Sequence, residues 1–180
     1  MAKTLCVYAA SSKNLPARYY AAVHTIGVAA GRSGWGLVFG GANIGLMNAF
    51  ALGVKESGGY VTSVIPRLFD KRGLTFEASD EVLLTDDLRA RKKIMESRAD
   101  AFLVLPGGPG TLDEFFEVLT LKQLGLLLRP LVLFNLEGHF EGTILQLKTI
   151  VERGFADAQL LEQIVVESTA EGVLRALGLT

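Results

Sequence analysis

The chain has 180 residues, 49% of them hydrophobic, enough to bury the core of one compact domain over residues 1–180. Its 18 Lys and Arg nearly cancel its 19 Asp and Glu, which argues against nucleic acid or an anionic membrane as partner and means that any bound anion must be held locally. The single cysteine, Cys6, excludes an intramolecular disulfide, and the richest apolar run, LGLLLRPLVLFNL, is broken by Arg129 and Pro130 well short of a membrane span, so a soluble cytoplasmic protein is expected.

The first apolar run, residues 4–9, has strand character and carries Cys6 as a buried thiol. A helix is predicted over 16–33 and a second strand over 36–39. The next stretch, GGANIGLMNAF, lets the backbone approach a ligand closely and then opens a helix over 44–57; neither GxGxxG nor a P-loop is present. Strands follow at 60–65 and 81–85, a helix at 86–99, a strand at 101–105, a helix at 111–124, a strand at 130–135, a helix at 140–153, a strand at 164–167 and a helix at 169–177. Gly58, Gly125, Gly154 and Gly178 are the expected helix stops. Alternating helices and strands apolar on both faces predict a Rossmann-like α/β three-layer sandwich with a mostly parallel sheet. In such sheets ligands bind in the loops at the carboxyl ends of the strands.

Two neighbouring stretches concentrate the chemistry. In TDDLRARKKIMESRAD, Leu88, Met95 and Ala99 mark one helical stripe on which Arg91 and Lys92 also fall, whereas Arg89, Lys93 and Glu96 read as a solvated face. Inward cations need a ligand or a carboxylate partner, or must snorkel out to water. In LPGGPGTLDE, Gly107, Gly108 and Gly110 can expose successive N–H groups as an anion nest, with the Thr111 hydroxyl at the helix start, a chemistry that suits phosphate. Thr111 and Glu114 also have the T-x-x-E spacing of a capping box, which would keep both side chains within the helix. A phosphate beside Asp113 and Glu114 needs cations nearby, and the preceding helix offers them.

The helix over 111–124 is apolar on more than one face, through Phe115, Phe116 and Leu119 and through Val118, Leu121 and Leu124. That suits either burial within one subunit or a dimer interface. His24 and His139 are isolated and read as surface or packing residues, and no acidic cluster has ligand spacing, so neither a metal nor a cofactor is expected.

Taken together, LRARKKIM and LPGGPGTLDE resemble the RKxxM and PGGxGTxxE motifs of the LOG family, the cytokinin riboside 5'-monophosphate phosphoribohydrolases often mislabelled lysine decarboxylases. VYAASS, GGANIGLMNAFA, GGYVTSVIP and QLG extend the resemblance over most of residues 4–155. It implies a homodimer that cleaves the N-glycosidic bond of a purine nucleoside 5'-monophosphate, releasing free base and ribose 5-phosphate. By the same resemblance Arg91 and Glu114 form the catalytic pair. Lys92, Gly107, Gly108, Pro109, Gly110, Thr111, Leu112, Asp113 and Thr120 would hold the nucleotide, with Ser11, Gly41 and Asn43 at the pocket rim. Pro109, Asp113, Arg89 and the AASS stretch depart from the residues common in the family, which bears on base preference and leaves the pair intact. A pyridoxal phosphate decarboxylase would need a Schiff-base lysine and a pyridinium partner, and neither is identifiable. A carrier of a phosphorylated ligand, such as the molybdenum-cofactor carriers, is the alternative on this fold; a carboxylate beside an anion favours the enzyme. A nicotinamide dehydrogenase stands third, for want of GxGxxG.

Overall fold

Each apolar run becomes a strand: β1 (Thr4–Tyr8), β2 (Gly36–Phe39), β3 (Val61–Pro66), β4 (Glu81–Thr85), β5 (Ala101–Val104), β6 (Leu131–Phe134) and β7 (Val165–Glu167). In the computed structural model, which describes residues 2–179, they form one sheet in the order β4-β3-β2-β1-β5-β6-β7. Every pairing is parallel. The helices are α1 (Ala17–Arg32), α2 (Gly45–Glu56), α3 (Arg67–Asp70), α4 (Leu88–Arg98), α5 (Pro109–Gln123), α6 (Glu141–Glu152), α7 (Gln159–Glu162) and α8 (Ala170–Leu177), with a 3-10 turn at Leu136–Gly138. The short α3, α7 and 3-10 turn were not foreseen, because elements of three or four residues are too short to show a period. Residues 1 and 180 of the expected domain lie outside the described residues.

Alternate residues of each central strand serve opposite layers, as strand geometry requires. Leu5, Val7, Leu37, Phe39 and Leu103 pack with Val23, Ile26, Phe50 and Val173 from α1, α2 and α8. Cys6, Tyr8, Val38, Phe102 and Val104 pack with Met95, Phe115, Val118 and Leu147 from α4, α5 and α6. Cys6 is fully buried, as expected, and burial pushes its thiol well above the ordinary range. The expected helix stops Gly58, Gly125, Gly154 and Gly178 all adopt positive φ. Among the described residues no helix is long and apolar enough to cross a membrane.

Strand order reverses between β1 and β5, which opens a crevice at their carboxyl ends. Three loops meet there. The Ala10 N–H donates to the Pro106 carbonyl at 3.1 Å, and the Leu46 N–H donates to the Ala10 carbonyl at 2.9 Å, so the start of α2 rests on the loop after β1. Gly45 permits that approach: its φ is +64°, and a Cβ there would strike the Ala10 carbonyl.

Candidate active site

The site is built from α4, α5 and the loop after β1. Asp87 caps α4, its carboxylate accepting from the Ala90 N–H at 2.8 Å. Met95 and Ala99 are buried as the inward stripe predicted, but Leu88 is 49% exposed, because it lies in the first turn at the carboxyl edge of the sheet. Arg91 is directed inward and pairs with Glu114 of α5, through Nη2 to Oε1. Its guanidinium lies over the bare backbone of Gly40, where a Cβ would come within 3.1 Å of Nη1. The Arg91 Nε is buried with no hydrogen-bond partner among the described residues.

Helix α5 starts two residues earlier than the sequence suggested. Pro109 takes its first position, pre-set for helix, and the extended Gly108 is the N-cap, with no side-chain cap. Thr111 is therefore the third helical residue and not the cap, so no capping box forms and the Glu114 carboxylate is free to meet Arg91. The Gly110 and Thr111 amides lie in the first turn, without intrahelical acceptors, at the positive end of the helix.

A cavity of about 230 Å³ brings these parts together, lined by Ala9, Ala10, Ser11, Met47, Arg91, Gly108, Pro109, Gly110, Thr111 and Glu114. Glu114 is only 7% exposed. Burial is the largest influence on its carboxyl, raising it from the ordinary 4.5 to about 7; Arg91 opposes that shift and Asp113 adds to it. The arrangement can accept a proton near neutral pH beside a guanidinium and the unbonded amides at the start of α5.

Several predicted residues lie elsewhere. Lys92 does not line this cavity: it bonds Asp113 at 2.8 Å and pairs with Glu117, because those acids sit one helical turn apart on α5. Asp113 is itself largely exposed. Leu112 packs into the core beneath α5. The Thr120 hydroxyl donates to the Phe116 carbonyl at 2.7 Å, farther along α5 on its exposed face. Gly41 forms a turn packed on Ser63 and Ile65, and Asn43 lines a separate open groove with Tyr20 and His24 while donating to the Gly73 carbonyl. Gly107 points its N–H at His139 instead of into the cavity, and a Cβ there would collide with the Thr111 side chain. The sequence reading named none of Gly40, Ala9, Ala10 and Met47 as site residues, although Gly40 and Met47 stand in GGANIGLMNAF and Ala9 and Ala10 in VYAASS.

One other expectation is corrected. Glu96 is not on a solvated face: its Oε1 is buried with no hydrogen-bond partner among the described residues, and burial, reinforced by Glu117 and opposed by Lys92, pushes its carboxyl to about 7. Of the two readings left open for the helix over 111–124, complete burial within one subunit does not hold, since Phe116 is 37% exposed and Leu124, just past the end of α5, 64%.

Residues 47–177 match the family model described as possible lysine decarboxylase. No lysine lines the cavity that holds Glu114, and the buried Lys122 donates to the Arg129 carbonyl instead, so the residues do not fit a Schiff-base site. The cytokinin riboside 5'-monophosphate phosphoribohydrolase of Mycobacterium tuberculosis (strain ATCC 25618 / H37Rv) is 38% identical, covering 96% of this chain and 92% of its own. The enzyme of the same name, LOG3, from Arabidopsis thaliana is 35% identical, covering 97% and 81%. Among solved structures, the molybdenum cofactor carrier protein of Chlamydomonas reinhardtii superposes with a TM-score of 0.76 at 22% identity, over 99% of this chain and 97% of that one. The molybdenum cofactor binding protein of Rippkaea orientalis gives 0.75 at 19%, over 99% and 96%. At those identities the two structures establish the shared fold, while the sequence relatives and the family model establish descent. The chain belongs to the LOG family, the group of cytokinin riboside 5'-monophosphate phosphoribohydrolases that also carries the lysine decarboxylase description.

Proposed function

We propose that this chain hydrolyses the N-glycosidic bond of a purine nucleoside 5'-monophosphate bearing an N6-substituted adenine, releasing free base and ribose 5-phosphate. The observation that carries the reading is the buried Glu114, braced by Arg91, in one cavity with the open start of α5. The 5'-phosphate sits on the amides of Gly110 and Thr111 at the positive helix end, which presents the ribose to Glu114. As the bond from C1′ to the purine nitrogen breaks, positive charge develops on the sugar and the ionised carboxylate stabilises it. A water oxygen bonds C1′ and its proton passes to Glu114, the departing purine nitrogen takes a proton from solvent, and Glu114 returns its own to solvent, so that one water is consumed. Arg91 holds Glu114 in place, and Ser11 and Met47 form the facing wall.

The proposal includes a cytoplasmic setting and a homodimer. The exposed Phe116 of α5 and Leu124 just past its end supply apolar surface that a second copy would cover. Chromatography of reactions with AMP, N6-isopentenyl-AMP and the riboside lacking phosphate tests the chemistry. Free base should appear from the nucleotides, faster from the N6-substituted one, and at least about tenfold more slowly from the riboside, whose remote phosphate binding is missing. Absence of base from every nucleotide, with protein that still binds them, would refute hydrolysis.

A further inference from the structure

His139 read in the sequence as an isolated packing residue, yet it braces the glycine loop. Its Nε2 lies 3.1 Å from the Gly107 nitrogen and 2.9 Å from the Gly107 oxygen. One ring nitrogen can serve only one of these at a time: unprotonated it accepts from the N–H, and protonated it donates to the carbonyl. The ring is anchored. It packs edge-on against Phe140, with centroids 4.8 Å apart, and Phe140 is 1% exposed, with its N–H donating to Asn135 Oδ1 at 2.7 Å. Gly107 immediately precedes the N-cap of α5 and packs so closely on Thr111 that no side chain would fit between them, so its orientation is passed on to the first turn.

The ring also faces a second cavity, of about 330 Å³, lined by Ser12, Leu15, Arg18 and Tyr19 together with Gly107 and Gly108. The charged groups around it are Arg18 of α1 and Glu137 of the 3-10 turn, which neutralise each other as a pair, with Arg18 Nη2 to Glu137 Oε2 at 2.9 Å. Glu141 of α6 accepts from Asn135 at 2.7 Å. No unpaired charge therefore competes with His139 on this side of the loop among the described residues.

We propose that His139 is a positioning residue for nucleotide binding, holding Gly107 and through it the start of α5 in the form that receives the 5'-phosphate. The inference rests on the reading that the start of α5 takes a phosphate. With the imidazole tied to Gly107 through its N–H or its carbonyl, the residue before the N-cap is fixed before the nucleotide arrives, so binding does not have to order it.

Calorimetry of AMP and of adenosine binding tests it, in a Glu114→Gln background that prevents turnover. Glu114→Gln/His139→Phe, which can neither donate nor accept, should bind AMP about tenfold more weakly than Glu114→Gln while binding adenosine about equally well. Glu114→Gln/His139→Gln, whose amide can make either bond, should recover most of that loss. Unchanged AMP affinity, an equal loss for AMP and adenosine, or no recovery with glutamine would overturn the inference. Release of base by the unsubstituted protein alongside unchanged AMP affinity in the His139 variants would remove this inference alone and leave the hydrolase reading standing.

Discussion

At Glu114 two demands compete for one carboxylate, and the helix start decides between them. Had Thr111 been the N-cap, Glu114 would have turned back to the backbone; with Pro109 first in the helix, it turns to Arg91. Arg91→Ala should leave the fold intact, because an abandoned buried carboxyl can neutralise itself by taking a proton. Turnover should fall by about 10²-fold. With the opposing influence of Arg91 gone, Glu114 holds its proton to higher pH, so the acid limb of kcat/KM, expected near 7 in the parent, should move upward in the variant. Loss of the folded circular dichroism spectrum, or a limb that stays in place in folded protein, would make the pair a structural tie only. Base release across pH, alongside circular dichroism, reads both. Neither Lys92 nor His139 could be placed from spacing, for related reasons. Lys92 is claimed by acids on another helix, and His139 by a backbone 32 residues distant in sequence, so no local pattern marks either contact.

At the scale of elements, most of the architecture was legible in the residues. Strands such as AFLV and LVLF are apolar at every position because both of their faces are covered, and the helices between them keep a clear period. What stayed hidden depends on how elements meet. The raised carboxyl of Glu96 depends on its burial and on the charge of Glu117 from α5, and Arg129 donates to the Glu96 carbonyl at 2.7 Å from the loop before β6. The seating of α2 on the β1 loop is a contact of the same kind. Gly45→Ala should lift the start of α2 off Ala10 and displace Met47 from the cavity wall, since the new Cβ meets a carbonyl and the backbone is left-handed. A loss of about 1–3 kcal/mol is expected from urea denaturation. An unchanged midpoint would show that the contact is not needed.

For the whole molecule, stability should peak in mildly acidic solution. Glu96 and Glu114 both have carboxyls raised from 4.5 to about 7 in the fold, so the native state binds more protons than the unfolded chain in that interval. The stability they support is therefore present below about 4.5 and declines as pH rises to about 7. Asp80, held down by Lys55, and Glu81, held down by Arg98, act oppositely and lose their contribution as pH falls below the ordinary carboxylate range. Glu96→Gln should raise stability at pH 8 by about 1–2 kcal/mol, allowing for solvent screening of a half-buried group, with the gain shrinking at pH 5. Thermal unfolding across pH checks this, and equal gains at both pH values would contradict it. The account as a whole depends on a carboxylate doing chemistry at the point where the sheet order reverses. Its most direct test is the rate of base release from N6-isopentenyl-AMP by the parent and by Glu114→Gln, measured together with nucleotide affinity. A fall of about 10²–10⁴-fold in kcat, with affinity kept within a fewfold, is the predicted result; a Glu114→Gln protein that turns over at the parent's rate would contradict it.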